Sequence, residues 1–428
     1  MKKKVYVLDY DLISPLGIGR ESVLKSLESN YLAAKKISRF PTIGLQIEFA
    51  AEISDPLFDL YLKEDEMIID VAKYDRKFEL AIAIYYIMES RLQEIASKTS
   101  QGKSGIVLGL GIDVPPLEAI RELIGEKLTI SENSFIDFFN KINKTKGYIN
   151  KFLNPLDLSA LFIAKKLNLS AFQKTIMTAC VSSTQAIGIA YDSILADETE
   201  VAIAGGTDSL INTLAFIAFN KLGVLSTGKS GHEKACKPFD ITRNGALAGE
   251  ASGLCVLASE EFVKKNNLTP KLEILGYGNT LDAYNITSPD PSGLGMSRAF
   301  EMALKNSGIT PSDVDYINLH GTGTRSNDEV EFKAIKKVFG EYAKSIPMSS
   351  TKDRHGHAIA SAGIQEFCIL CLCMENDFIP CNINLEKPIG NGELDLVQNE
   401  NRRKKVNIGL TSNFAFGGVN TVIALKKI

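Results

Sequence analysis

Residues 176–190 read IMTACVSSTQAIGIA, an apolar strand-like run that meets Cys180 and passes into a helix pattern of small residues. A cysteine at a strand-to-helix junction has its sulfur at the positive end of the helix dipole, where unpaired backbone N–H groups favour a thiolate. Cys180 is therefore a candidate nucleophile. The competing reading is a buried structural cysteine, since free cysteines are among the most buried residues. This stretch alone does not separate the two.

Outward from it, the chain alternates strand and helix signals. VYVL (5–8), GIVLGLG (105–111), VAIAGG (201–206) and SGLCVLAS (252–259) read as buried strands. KYDRKFELAIAIYYIMESRLQEIA, from Lys73, carries apolar residues at helical spacing and predicts one long helix. After the polar KKNNLTPK the pattern restarts. LEILGYGNT (272–280) and DYINLH (315–320) predict strands, residues 297–307, 327–338 and 363–374 predict helices, and VNIGLTSNFAF and VNTVIALKK predict paired strands at the end. Strands alternating with helices imply a mainly parallel, helix-covered sheet. The expected fold is α/β with duplicated halves, residues 1–260 and 261–428. Residues 112–155 carry no compelling motif and are expected to form a cap or dimer-contact region.

Composition excludes several classes. A chain of 428 residues, 45% hydrophobic and 23% charged, is an ordinary globular protein long enough for two core units. A net charge of -3 gives no broad basic footprint for nucleic acid. Seven cysteines without a regular framework suit a reduced, cytoplasmic protein. Cys368, Cys371 and Cys373 lie in the apolar run FCILCLCM without a nearby histidine, so a core helix is expected there and no metal. Asp9 and Asp11 interrupt any signal-peptide core, and no apolar run approaches the ~20 residues of a membrane span.

Two of the four histidines fall where a nucleophilic cysteine needs them. His320 ends a strand and is followed by GTGT, at the carboxyl edge of the sheet where open α/β sheets bind ligands. His357 lies in SSTKDRHGHAIASAGIQE (349–366), five residues after Lys352. In SNFAFGGVN (412–420), Phe414 and Phe416 precede two glycines that bring backbone N–H groups towards a ligand and let an aromatic ring swing. CKPFDITRNGALAGEASG (236–253) reads as a structured loop in which Arg243 pairs with Asp240 or Glu250.

Taken with AGGTDS and DAYNITSP (282–289), these segments resemble, in order and over nearly the whole chain, the β-ketoacyl-[acyl carrier protein] synthases. Those are the elongating condensing enzymes of the thiolase superfamily. The resemblance implies a thiolase-like fold of duplicated α/β halves, with layered mixed sheets and buried central helices. It implies decarboxylative condensation of an acyl thioester, carried on Cys180, with malonyl carrier protein, and it assigns His320 and His357 to the decarboxylated enolate. By the same similarity Lys352 and Glu366 orient the histidines, and Thr322 and Thr324 hold the pantetheine arm. Phe416, beside Phe414, gates the acyl pocket and supplies an oxyanion amide together with Cys180. Lys73, Arg76 and Lys77 are then a docking cluster for the acidic acyl carrier protein. No metal or redox cofactor is implied, because the substrates ride on the phosphopantetheine of the carrier. A dimer is implied, either a homodimer or a heterodimer with a homologous subunit.

Several residues depart from the family pattern: Val181 after the nucleophile, Ala360 and Ser361 after the second histidine, Ala415 between the phenylalanines, and Asp9 and Asp11 in the first strand. They point to an enzyme specialised for polyene or polyketide chains. Two rival readings are a non-catalytic chain-length partner subunit, and a thiolase or initiating synthase acting on coenzyme A esters.

Overall fold

The computed structural model describes residues 3–54, 57–112, 114, 155–229 and 231–428. The region expected to act as a cap, residues 112–155, falls almost wholly outside the described residues.

Among the described residues the apolar runs pair into one twelve-stranded mixed sheet. Its strands are β1 (Val5–Ser14), β2 (Gly17–Ile18), β3 (Ser104–Leu110), β4 (Phe172–Ile176), β5 (Val201–Ser209) and β6 (Glu250–Ser259) in the first half. The second half contributes β7 (Leu272–Leu281), β8 (Tyr316–Asn318), β9 (Pro347–Ser349), β10 (Asp395–Leu396), β11 (Ile408–Phe414) and β12 (Val419–Lys427). The order is β10-β9-β8-β11-β12-β7-β1-β6-β5-β3-β4, with β2 turning back onto β1.

Reading outward from the centre makes the duplication visible. In the first half β1 pairs antiparallel with β6 and β6 antiparallel with β5, and then β3 and β4 follow in parallel. In the second half β7 pairs antiparallel with β12 and β12 antiparallel with β11, and then β8 and β9 follow in parallel. The halves join where β1 meets β7, with Val5 opposite Ile274 and Val7 opposite Leu272. The sheet is therefore mixed rather than mainly parallel, because each half closes with an antiparallel pair at its centre.

Five helices matter to the site: α1 (Arg76–Lys98), α2 (Ser182–Leu195), α3 (Leu294–Ser307), α4 (Arg325–Phe339) and α5 (Ala362–Asn376). α2 and α5 pack on each other and on strands of both halves, so they lie inside the molecule. That position explains their composition. Gly188 of α2 meets the Tyr277 ring, where an added Cβ would sit 2.7 Å from the ring, and every α5 residue from Ala362 to Met374 is buried. Residues 359–376 are long and apolar enough to cross a membrane, but 83% of that stretch is buried as the central helix of the second half. Cys368, Cys371 and Cys373 are free thiols in this core.

The helix expected to run on from Lys73 is broken. A separate helix, Glu66–Tyr74, ends before Asp75, whose carboxylate then caps α1 by accepting from the N–H groups of Lys77 and Phe78. An acidic cap of this kind stabilises a helix start by ~1 kcal/mol. Asp9 and Asp11 face Arg91 of α1 at 3.1 and 2.7 Å, and Asp9 also meets Arg20 at 3.1 Å. Both departures in the first strand are thus paired carboxylates.

Candidate active site

β4 leads into a short turn, Ala179–Val181, and α2 begins at Ser182. Ala179 takes a φ of 51°, a left-handed conformation that non-glycine residues rarely adopt, and this sharp bend presents Cys180 at the start of the helix. Cys180 and Val181 are both buried. Val181 is fully enclosed.

His357 brings Nε2 to 3.1 Å from Cys180 Sγ, and the His320 and His357 rings stand 5.3 Å apart, edge to face. The sequence therefore brings together three groups separated by 177 residues of chain, one from the first half and two from the second. The thiolate expectation needs correction. Burial pushes the Cys180 thiol up to about 12, against the pull of the Lys352 charge and of a hydrogen bond from the Phe416 N–H. The resting sulfur is a thiol, and forming a thiolate requires transfer of its proton, for which His357 Nε2 is in place. Both histidines are neutral: burial, then the Lys352 charge, holds each well below its ordinary value.

The environment fixes the tautomer of His320. Its Nδ1 faces two donors, Lys352 Nζ at 3.4 Å and Asn413 Nδ2 at 3.3 Å, so Nδ1 accepts and the proton sits on Nε2. His357 Nδ1 has no hydrogen-bond partner among the described residues, so its tautomer follows whatever meets Nε2. Lys352 also donates to the His320 carbonyl at 2.6 Å and pairs with Glu366, which in turn accepts from Asn413 Nδ2 at 2.5 Å. Lys352 and Glu366 are both fully buried. Breaking one side of such a pair leaves an uncompensated charge, so Lys352→Met is expected to lower unfolding free energy by ~3–5 kcal/mol, read by urea denaturation.

The Cys180, His320 and His357 ligand atoms lie within 4.8 Å of one another, a donor set that zinc accepts elsewhere. The surroundings do not fit a metal. A ligating imidazole donates its other N–H to an acceptor, whereas His320 Nδ1 meets a lysine and an amide NH2, neither of which accepts.

The turn HGTGT is held from behind by Glu331 of α4, which accepts the N–H groups of His320 and Gly321, each at 2.8 Å. Thr322 and Thr324 share a hydrogen bond of 2.8 Å and line, with Cys180 and both histidines, a narrow cleft. Phe414 stacks edge-on to His320 at 5.9 Å, and Phe416 lies over Phe219 at 6.5 Å. A second, larger cavity lies beyond, open to solvent; Leu210, Phe219, Ile359 and Phe416 line both and form the neck between them. Gly417 donates its N–H to the Ile286 carbonyl at 2.7 Å, which ties the phenylalanine loop to the loop after β7.

The three cations expected to form one docking cluster do not form one exposed patch. Arg76 is largely buried and clamps Glu250 with two hydrogen bonds of 2.8 and 2.9 Å, with Glu79 at 2.6 Å. Lys77 donates to the carbonyls of Gly111 and Ile112 at 3.3 and 3.1 Å, and only Lys73 is exposed. Glu250 is thereby taken, and Arg243 instead donates to the main-chain carbonyls of Asp240, Thr324 and Arg325 and pairs with the carboxylates of Asp328 and Glu329 at 3.7 and 3.6 Å. Asn413 and Glu331 escaped the sequence reading. Their signal was a polar residue at an inward position: Asn413 on a buried strand, and Glu331 in the α4 stripe shared with Val330, Ala334 and Ile335.

A buried cysteine at a helix start, two neutral histidines above it and an aromatic neck into a second cavity define a thioester-handling enzyme of the thiolase fold. Similarity to known proteins gives the family. Residues 143–262 match the family description "Beta-ketoacyl synthase, N-terminal domain" and residues 272–386 match "Beta-ketoacyl synthase, C-terminal domain". A 3-oxoacyl-[acyl-carrier-protein] synthase 2 of Coxiella burnetii is 32% identical, covering 100% of this chain and 99% of its own. One of Rhizobium meliloti is 31% identical, covering 99% of each. Among solved structures, the ishigamide ketosynthase/chain length factor is similar at a TM-score of 0.85 and 26% identity, with full coverage of both chains. A type II polyketide ketosynthase bound to its acyl-carrier protein and a hexaketide follows at 0.81 and 25%, again with full coverage of both. The chain belongs to the β-ketoacyl synthase family.

Proposed function

We propose that this chain condenses an acyl group held on Cys180 with a malonyl group held on acyl carrier protein, releasing carbon dioxide and a 3-oxoacyl carrier two carbons longer. The observation that carries the reading is the 3.1 Å contact between Cys180 Sγ and His357 Nε2 beneath a donor-fixed His320.

In the first step the thiol proton passes to His357 and the sulfur attacks the acyl thioester; the proton leaves with the carrier thiol. The N–H groups of Cys180 and Phe416 hold the tetrahedral oxyanion, each donor being worth ~10²–10³ in rate. In the second step the malonyl carboxylate departs as carbon dioxide, and its electron pair forms an enolate. His320 Nε2–H donates to the enolate oxygen, and His357, its Nε2 no longer facing a thiol proton, takes the tautomer that donates as well. The enolate carbon then attacks the Cys180 thioester, the C–S bond breaks, and the sulfur leaves as a thiolate that takes a fresh proton from solvent. Thr322 and Thr324, in the same cleft, suit the amide groups of a pantetheine arm, and Phe416 at the neck suits a gate between acyl chamber and entrance. The carrier protein, and a second subunit identical or homologous to this one, are the partners this reading requires.

An intact nucleophile beside its base favours catalysis over a non-catalytic chain-length role. A histidine at 357 favours elongation over initiation, and the second cavity beyond Phe416 gives room for a grown chain. We assign the enzyme to fatty-acid or polyene/polyketide elongation and, within that range, to specialised chains, since Ala415 stiffens the loop that moves Phe416. Turnover of saturated against polyunsaturated acyl carriers tests this. Preference for the unsaturated chains is expected, and equal or better turnover of saturated ones would remove the case for specialisation.

A further inference from the structure

Asp208 lies at the end of β5, buried, in the wall of the second cavity, and the mechanism above gives it no part. One carboxylate oxygen accepts the Ala360 N–H at 3.0 Å and the other accepts the Ser209 N–H at 2.9 Å. Room for it comes from Gly111, where a Cβ would stand 2.3 Å from the carboxylate. Ala360 follows Ile359, whose φ is 43°. A β-branched residue in the left-handed region is a strained conformation that its surroundings must hold in place. Upstream, His357 is fastened by its own main chain: its N–H donates to the Leu247 carbonyl at 2.7 Å, and its carbonyl accepts from Gly249 at 3.1 Å. On the downstream side Asp208 supplies the side-chain anchor.

We propose that Asp208 is a positioning residue: by holding the Ala360 amide it keeps Ile359 left-handed, and so fixes His357 over Cys180 and the Ile359 side chain in the neck. This rests on the reading of Cys180 and His357 given above. The titratable groups facing Asp208 are Lys77 and Asp75 at the start of α1, the first attractive and the second repulsive, and Cys180, whose thiol the Asp208 charge helps push up. From the His357 loop it meets the Ala360 amide, and from its own strand the Ser209 amide. Burial pushes its carboxyl up to about 6. Protonation then places an O–H where an amide needs an acceptor, and the anchor weakens as pH falls.

The test compares the unaltered enzyme with Asp208→Asn and Ile359→Gly from pH 5 to 8, reading malonyl-carrier decarboxylation and alkylation of Cys180. Asparagine presents an NH2 to one of two N–H donors, so a loss of roughly 10–100-fold in both readouts is expected. The unaltered enzyme is expected to lose rate below a midpoint near the Asp208 value, and that acid limb is absent from Asp208→Asn. It is absent from Ile359→Gly too, since glycine holds a positive φ unaided; this arm stands even if Asp208→Asn fails to fold. The histidines titrate too low to supply the limb, but Asp353, also pushed up to about 6, is a rival source. A limb that persists in both variants overturns the inference while leaving condensation intact. An unaltered enzyme that never acylates Cys180 overturns both.

Discussion

Cys180→Ala is expected to reduce condensation by roughly 10⁵-fold or more, the scale seen when a covalent nucleophile is removed from a site whose groups act as a unit. The size follows from the geometry. Among the described residues no other cysteine lines the cleft: Cys236 lies behind the HGTGT turn with its thiol on the Thr322 carbonyl, and Cys255, Cys368, Cys371, Cys373 and Cys381 are buried elsewhere, so no thiol stands by to replace Sγ. The variant should fold, because the change removes one atom from a position that opens on a cavity. Intact mass after exposure to acyl carrier is the check. A protein that still gains an acyl group after the substitution would sink the nucleophile assignment.

The second large effect separates the histidines. His320→Ala removes the donor-fixed Nε2–H aimed at the enolate, so decarboxylation should fall by ~10²–10³, the worth of an oxyanion donor, while acylation of Cys180 is retained. His357→Ala should lose decarboxylation as well, and its acylation should also slow by ~10²–10⁴, the usual contribution of a positioned base. Because the Cys180 thiol is held up to about 12, its residual acylation should climb steadily with pH across the neutral range. The histidine-assisted rate of the unaltered enzyme should be nearly flat above the acid limb assigned to Asp208, since His357 is neutral throughout. Stopped-time acylation profiles of the two variants decide it. Equal acylation in both would mean that the helix start, without a base, suffices.

That distinction was not available from the sequence, and the reason is physical. A helix start lowers a thiol's pKa and burial raises it, and only the fold says how deeply Sγ lies. The same holds for Arg76, which sits in a basic cluster in sequence yet meets Glu250 across 174 residues. What was legible were features set by neighbours in the chain. The periodicity located α3, α4 and α5 to within a few residues, and the glycine turns around His320 and Phe416 marked two walls of the cleft. The helix break at Asp75 was legible in principle, as an acidic cap ahead of Lys77 and Phe78, but the apolar periodicity on either side masked it. The antiparallel centre of the sheet was not, since β1, β6, β7 and β12 pair over long separations. Polar residues that serve the site from behind, Asn413, Glu331 and Asp208, look in sequence like ordinary exceptions to an apolar stripe. Their meaning appears only when His320 Nδ1, the HGTGT amides and the Ala360 amide are seen to face them.

The central claim is that one sulfur receives the acyl chain and then gives it up to a decarboxylated malonyl unit. Single-turnover mass spectrometry tests it directly: the acyl-enzyme is formed, freed of donor carrier and mixed with malonyl carrier. Return of the protein to its unmodified mass, with one carbon dioxide and one carrier-bound 3-oxoacyl product per acyl group lost, is the predicted result. Loss of the acyl group as free acid, or malonyl carrier left unconsumed, would contradict it.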